Sequence, residues 1–422
     1  MKFWQSLSAP ERTVALAIML VPVIWAIPGL DLFGTLLLMA VVAHDLWHHG
    51  HLRFGRPRPE VLALLAFSLY AAANAALHAP TLTPRLLLAP LLLWGSGGLL
   101  LWYVQANRVR VRTPVLAGAL GASALQMLAL FAAVHFGLGE PPYRPPNPLF
   151  ASLFVRIQPF YPGTANPNYL QPYIPEDTIA PGFARWSFFW GYPEVLALVA
   201  GAIVLVAWDL RDRRWALALG VAGIALGILS GTRSLWLVLP LIVVGRLAVA
   251  LGRVGGRALV LALVAASGFA ALSLPPLTEA LASRLGETVS ATSGYRRDST
   301  EVRQRIYVRT WQHLAEAWPT GHGLPGRTVL PGYAYAGLGT HSFWLGLLYQ
   351  GGAVGTALFA AFAGGFGWWL VRTRHDRPLA AFGVLLMVGL LLAVMEFEIV
   401  KMLLVLLCAM LQRQTPPTPS RG

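Results

Sequence analysis

Apolar runs of about 20 residues alternate with short polar links along most of the chain, and that length carries a helix across a bilayer. The runs fall near 13–30, 32–47, 60–78, 86–106, 114–137, 192–208, 215–231, 235–251, 257–274, 342–371, 378–395 and 399–412. They are continuous and show no period-two alternation, so they predict helices and exclude an outer-membrane barrel. Twelve spans result, or eleven if the last two, separated only by Glu396, Phe397 and Glu398, form one broken span. The first run follows Lys2 and Arg12 as a signal peptide would. No small-x-small cleavage site follows it, so it is expected to stay as a span.

The expected fold is an all-α polytopic membrane protein. Residues 1–137 carry spans one to five, 138–191 a long loop, and 192–274 spans six to nine. A second long loop, 275–341, contains a helical stretch at 300–318. Residues 342–412 carry spans ten to twelve, and 413–422 form a tail. Composition agrees: 56% of the 422 residues are hydrophobic, 12% are charged and mean hydropathy is +0.60. Soluble domains carry about 25% charged residues, so a soluble enzyme and a disordered chain are both excluded. The single cysteine, Cys408, permits neither a disulfide framework nor a cysteine zinc site.

Net charge is +14, and with Lys2 and Lys401 the sole lysines, 30 of the 32 basic residues are arginine. In a soluble chain this excess would raise nucleic acid as a partner; here it reads as topology, and no nucleic acid is expected. Each even-to-odd link holds three arginines: Arg53, Arg56 and Arg58; Arg108, Arg110 and Arg112; Arg211, Arg213 and Arg214; Arg246, Arg253 and Arg257; Arg372, Arg374 and Arg377. The short odd-to-even links hold almost none. Positive-inside asymmetry then places both termini in the cytoplasm and both long loops on the far side, the periplasm of a bacterium.

The first loop is rich in proline and aromatics, including Pro141, Pro142, Tyr143, Tyr161, Tyr169 and Tyr173, as an ordered irregular cap would be. The second holds Arg284, Arg296, Arg297, Arg303, Arg305, Arg309 and Arg327. Guanidinium forks suit phosphate, so the cluster reads as a diphosphate-lipid site. Equally, it reads as a solvated helix paired with Asp298, Glu301 and Glu316. Arg303, Tyr307 and Trp311 recur at i, i+4 and i+8 and are expected to face inward. Arg305, Arg309 and His313 lie on another face and are expected to be peripheral. Arg233 is the lone charge in 215–245, at the outer end of spans seven and eight, where an ionisable residue is functional by default. His341 opens span ten; the positive end of the helix dipole disfavours its imidazolium and leaves it able to accept a proton. A capping role is the other reading of His341.

Gly351 and Gly355 read as a small-xxx-small packing pair. His44, Asp45, His48, His49 and His51 look metal-like, but they sit at the cytoplasmic end of span two with no second ligand group. Neither long loop holds an Asp-x-Asp pair, so no divalent metal is expected.

These residues resemble the O-antigen ligase family of bacterial inner-membrane proteins. Its signature, His-[Asn/Ser/Gln], nine residues, Gly, two residues, Gly, then usually Thr, is matched by His341-Ser342, Gly352, Gly355 and Thr356. The family's upstream arginine–aromatic pair, Pro and Gly-x-Gly are matched by Arg303, Tyr307, Pro319 and Gly321-His322-Gly323, and its Ser/Thr-Arg turn by Thr232-Arg233-Ser234. Arg185, leading into span six through Phe189 to Glu194, matches a further arginine motif without its asparagines; Arg156 with Asn166-Pro167-Asn168 is the alternative placement. The motifs cover about 185 to 360.

The resemblance implies a GT-C-like membrane glycosyltransferase that needs no metal, nucleotide sugar or other cofactor. It would move O-antigen polysaccharide from undecaprenyl diphosphate to lipid A–core oligosaccharide, with inversion, at the periplasmic face of the inner membrane. Arg233, Arg303 and Arg185 would hold the donor diphosphate. His341 would be the base, with Glu398 or Glu194 as alternatives. Protein O-oligosaccharyltransferases and O-antigen polymerases share the motif and the donor. The former tend to carry an extra soluble domain, and the short tail after span twelve favours the ligase. A flippase or transporter would instead place ionisable residues deep in several spans.

Overall fold

The structure, a computed structural model, describes residues 2–27, 30, 32–138, 145–149, 169–174, 184–254, 297–330 and 336–413. It is mostly helical. In chain order the helices used below are α1 (Ala9–Met19), α2 (Val21–Ala26), α3 (Phe33–His49), α4 (Pro59–His78), α5 (Pro84–Ala106), α6 (Thr113–Gly137), α7 (Pro193–Trp208), α8 (Arg213–Ser230), α9 (Arg233–Val254), α10 (Arg297–Gln312), α11 (Phe343–Arg372), α12 (Leu379–Leu391) and α13 (Ile399–Met410). Among the described residues α4, α5, α6, α8 and α11 are long and apolar enough to cross a membrane, and α7, α12 and α13 are shorter apolar helices. Each predicted apolar run except the first and the ninth falls on one helix, and the first is split between α1 and α2. The ninth, 257–274, lies outside the described residues.

Local chemistry sets the ends. Proline opens α4, α5 and α7, where its fixed φ suits the first turn and its missing N–H costs nothing. Gly50 and Gly231 close α3 and α8 with φ of 69° and 61°, the left-handed cap glycine adopts freely. Pro22 starts α2 and breaks the first run at Leu20. α7 is apolar all round, with Leu196, Ala197, Ala200, Ile203 and Leu205 fully buried. It therefore lies inside the bundle, against α8, α12, α6 and α9.

The helices alternate in direction between two ends. At one end Phe343 N–H donates to the carbonyls of Leu392 and Met395, so the start of α11 meets the turn between α12 and α13. At the other, Arg377 Nη1 donates to the carbonyls of Cys408 and Ala409 at 2.8 Å. α12 and α13 are thus an antiparallel hairpin, with 392–398 as a non-helical turn. Arg246 pairs with Asp209, which accepts from the N–H of Ala380 at 2.6 Å. A parallel pair of two-residue strands, Val111–Arg112 with Leu411–Gln412, joins the same end.

Candidate functional site

α11 is not one continuous helix. Gly352 has φ 59° and ψ −161° and breaks the hydrogen-bond ladder. The freed backbone groups find partners on the segment that follows α10. Ala353 N–H donates to Trp318 O at 2.9 Å, and His322 and Gly323 N–H donate to Tyr349 and Gln350 O at 2.8 and 2.9 Å. From α4, Asn74 Nδ2 donates to Thr320 O and Gln350 O, both at 2.8 Å. A broken helix is tolerated in a membrane when neighbours satisfy its backbone in this way. A Cβ on Gly352 would lie 2.4 Å from Gly321 N, and one on Gly321 2.4 Å from Gln350 O. The two glycine motifs of the sequence are therefore one packed unit, which fastens the 318–323 segment to α11. Gly355 packs on Tyr70, as the small-residue reading expects.

α10 docks above this unit. Ile306 and Thr310 are fully buried, while Arg305 and Arg309 are exposed. Trp311, expected on the inner face, is 67% exposed. The reason is angular: residues eight apart on a helix diverge by about 80°, whereas residues seven apart nearly align. Thr310, not Trp311, continues the Arg303 face, and its hydroxyl accepts from Gly339 N–H at 2.9 Å. Tyr307 Oη donates to the carbonyl of His341 at 2.8 Å.

His341 precedes α11, whose N-cap is Ser342. Its φ is +64°, rare for a residue with a side chain, and such strain gathers at functional sites. Several described residues hold it. Tyr307 binds its carbonyl, Glu396 Oε1 accepts its N–H at 3.2 Å, and Thr340 Oγ1 lies 2.8 Å from Nδ1. The Thr340 hydroxyl donates its single proton to Gly337 O at 2.8 Å. Nδ1 must therefore be the donor to Thr340, which leaves the ring's lone pair on Nε2. Burial first, and the charge of Arg303 second, hold the imidazole below its ordinary pKa; Glu396 and Glu194 oppose this more weakly. The neutral ring expected from the helix dipole is thus held neutral chiefly by burial.

Arg185 sits in a two-residue strand, Arg185–Trp186, paired antiparallel with Tyr173–Ile174. Its buried guanidinium pairs with Glu194 at 2.9 Å, donates to Ser230 O at 3.0 Å and lies 3.5 Å from Thr232 Oγ1. These contacts clamp the α8–α9 turn, from which Arg233 begins α9. The charges of Arg303 and Arg185 both act on Arg233. Arg303 also acts on His341, Tyr307 and Glu194, so it is the electrostatic hub. Among the described residues no carboxylate pairs with Arg233 or Arg303. Four sequence-predicted residues, Arg185, Arg233, Arg303 and His341, thus come together from four separate segments. A cation opening a helix, beside two further cations, is unfavourable until an anion arrives.

Sequence reasoning missed Thr340, Thr310 and Glu396. The hydroxyl beside His341 and the acidic residues between two short apolar runs were the available signals. Glu398, one alternative base, pairs with buried Lys401 at 3.0 Å. Arg284, Arg296 and the alternative arginine placement at Arg156 with Asn166-Pro167-Asn168 lie outside the described residues. Asp45 is held by Arg53 at 2.9 Å, and no group of three potential metal ligands gathers among the described residues. Compared with known proteins, the chain matches no family model and no curated relative.

Proposed function

We propose that this protein is a GT-C-like membrane glycosyltransferase of twelve spans that transfers O-antigen polysaccharide from undecaprenyl diphosphate to lipid A–core oligosaccharide. The observation that carries the reading is a linked set of charges, in which Arg185 and Arg303 act on Arg233 and Arg303 acts on His341, whose Nε2 holds a lone pair. An acceptor hydroxyl oxygen attacks the anomeric carbon of the donor. Its proton passes to Nε2 of His341, the bond from the anomeric carbon to the phosphate oxygen breaks, and undecaprenyl diphosphate leaves with the electron pair. Inversion follows from this single displacement. Arg233 and Arg303 bind the diphosphate and stabilise its growing charge, as preorganised donors do. Arg185, already paired with Glu194, positions Arg233 and adds to the positive field. Arginines take the part that a divalent metal plays elsewhere, so no cofactor is required.

The site end then faces the periplasm and the arginine-rich links face the cytoplasm of the inner membrane. A transporter reading draws less support. Among the described residues the buried charges Glu11, Asp45, Glu60, Arg185, Arg377 and Lys401 lie at or near helix ends, not in the middle of spans. The test is transfer by purified protein from lipid-linked O-antigen to three acceptors: lipid A–core, a protein and a second lipid-linked glycan. Transfer to lipid A–core, with EDTA present and no ATP, is the expected result. Transfer to the second glycan alone would make the protein a polymerase, and to protein alone an oligosaccharyltransferase. No transfer to any would sink the glycosyltransferase reading.

A further inference from the structure

A second arginine cluster lies at the opposite end of the bundle. α7 and α11 both start at the His341 site, and their far ends meet a cavity of about 650 Å³. Arg211, Arg246, Arg374, Arg377 and Arg413 line it. Asp209 is the sole carboxylate among the described lining residues, and both of its oxygens are engaged, by Arg246 and by the N–H of Ala380. Positive charge therefore dominates the cavity. Arg377 lies deep in this region: burial first, and the charge of Arg110 outside the lining second, lower its pKa to about 10.

Arg377 is built into the fold. It is 3% exposed, its Nε donates to Thr373 Oγ1 at 2.7 Å, and its Nη1 is spent on backbone carbonyls. Yet Arg377 Nη2 and Arg246 Nη1 are buried with no hydrogen-bond partner among the described residues. An unmet buried donor is costly and calls for an explanation. Trp208, Leu379 and Phe382 line the same cavity, and the Arg246 guanidinium stacks over Trp208 at 4.9 Å. A soluble ion has no use for an apolar wall, whereas a lipid brings a charged head and an apolar tail together. Basic pockets between helix ends are where anionic headgroups bind.

We infer that this cavity binds a phosphate group, presented by an anionic phospholipid headgroup, at the membrane face opposite His341. The site is independent of the glycosyltransferase reading. The test is calorimetric titration of the purified full-length protein in neutral detergent with dihexanoyl phosphatidylglycerol, inorganic phosphate and, as a headgroup-free control, dihexanoylglycerol. Arg211→Gln, Arg374→Gln and Arg413→Gln together replace exposed side chains, so the triple variant should fold. Arg377→Met serves as a second variant. The phosphatidylglycerol should bind, the control should not, and the triple variant should bind at least about tenfold more weakly, since each charged hydrogen bond is worth that order. Inorganic phosphate binding as tightly as the lipid would uphold the phosphate site and assign it a soluble ion. Equal binding of phosphatidylglycerol and dihexanoylglycerol, or unchanged affinity in both variants, would overturn the proposal.

Discussion

Both ends of the bundle are rich in arginine, but they use it differently. At the end away from His341, Arg53 pairs with Asp45, Arg112 with Glu11 and Arg246 with Asp209. Those guanidinium groups tie links to helices and contribute to the fold. At the other end, among the described residues, Arg185 pairs with the carboxylate of Glu194, while Arg233 and Arg303 stand in one another's field. Like charges held close oppose folding, and among the described residues no carboxylate pairs with Arg233 or Arg303 to offset that cost. The contrast separates arginines that hold the protein together from arginines that await an anion, and substitutions at each end test it.

The largest effect is expected at His341. A sugar hydroxyl is a poor nucleophile until its proton is removed, and general-base catalysis typically contributes about 10²–10⁴ in rate. His341→Ala should insert normally, retain donor binding and transfer glycan at least about 100-fold more slowly. Single-turnover transfer beside a donor-binding titration separates the two steps. Near-normal transfer would reduce His341 to a capping residue; lost donor binding would make it a diphosphate ligand.

Next comes the paired end. Asp45 is fully buried, and Arg53→Ala would leave its carboxylate without its cation. Asp45 is buried but Arg53 is partly exposed, so leaving the carboxylate unmatched should cost less than breaking a fully buried pair, about 1–3 kcal/mol. Thermal unfolding in detergent should report that loss, while transfer per folded molecule stays near wild type. A stable Arg53→Ala protein with impaired transfer would erase the division between the two ends.

Arg303→Lys and Arg233→Lys keep the charge and lose the fork. Each should slow transfer about 10- to 100-fold, the worth of a charged hydrogen bond or two. Arg305→Ala and Arg309→Ala, on the exposed face of α10, should change it little. Equal, mild effects at all four would restore the solvated-helix reading.

Long apolar runs made the helices legible, because crossing a membrane leaves little freedom in length or composition. His341 and Arg233 were legible as polar residues at the ends of those runs, and Arg303 from its spacing with Tyr307 on the helical stretch of the second loop. What brings them together was not. The docking of Gly321-His322-Gly323 into the break at Gly352 depends on backbone positions more than a helical turn apart from any periodic pattern. Trp311 misled because a stripe at i, i+4 and i+8 drifts around the helix. Thr340 acts through one hydroxyl proton, and nothing in its sequence position says where that proton points.

The smallest effect concerns Glu396, and it sharpens how the site sets the histidine. Glu396 touches His341 twice over: it accepts the backbone N–H, and its charge raises the imidazole pKa against the stronger downward pull of burial and Arg303. Glu396→Gln keeps an acceptor oxygen for the N–H and removes only the charge, so the folded pKa of His341 should fall further. The base works neutral, and its activity is lost as pH drops through that pKa. The acid limb of the transfer profile should therefore lie below the ordinary histidine value in the wild type, and move lower still in Glu396→Gln. Transfer at neutral pH should hardly change, since the ring is already unprotonated there. A shift toward higher pH in Glu396→Gln, or an acid limb that persists in His341→Ala, would mean that the titrating group in the profile is not the histidine.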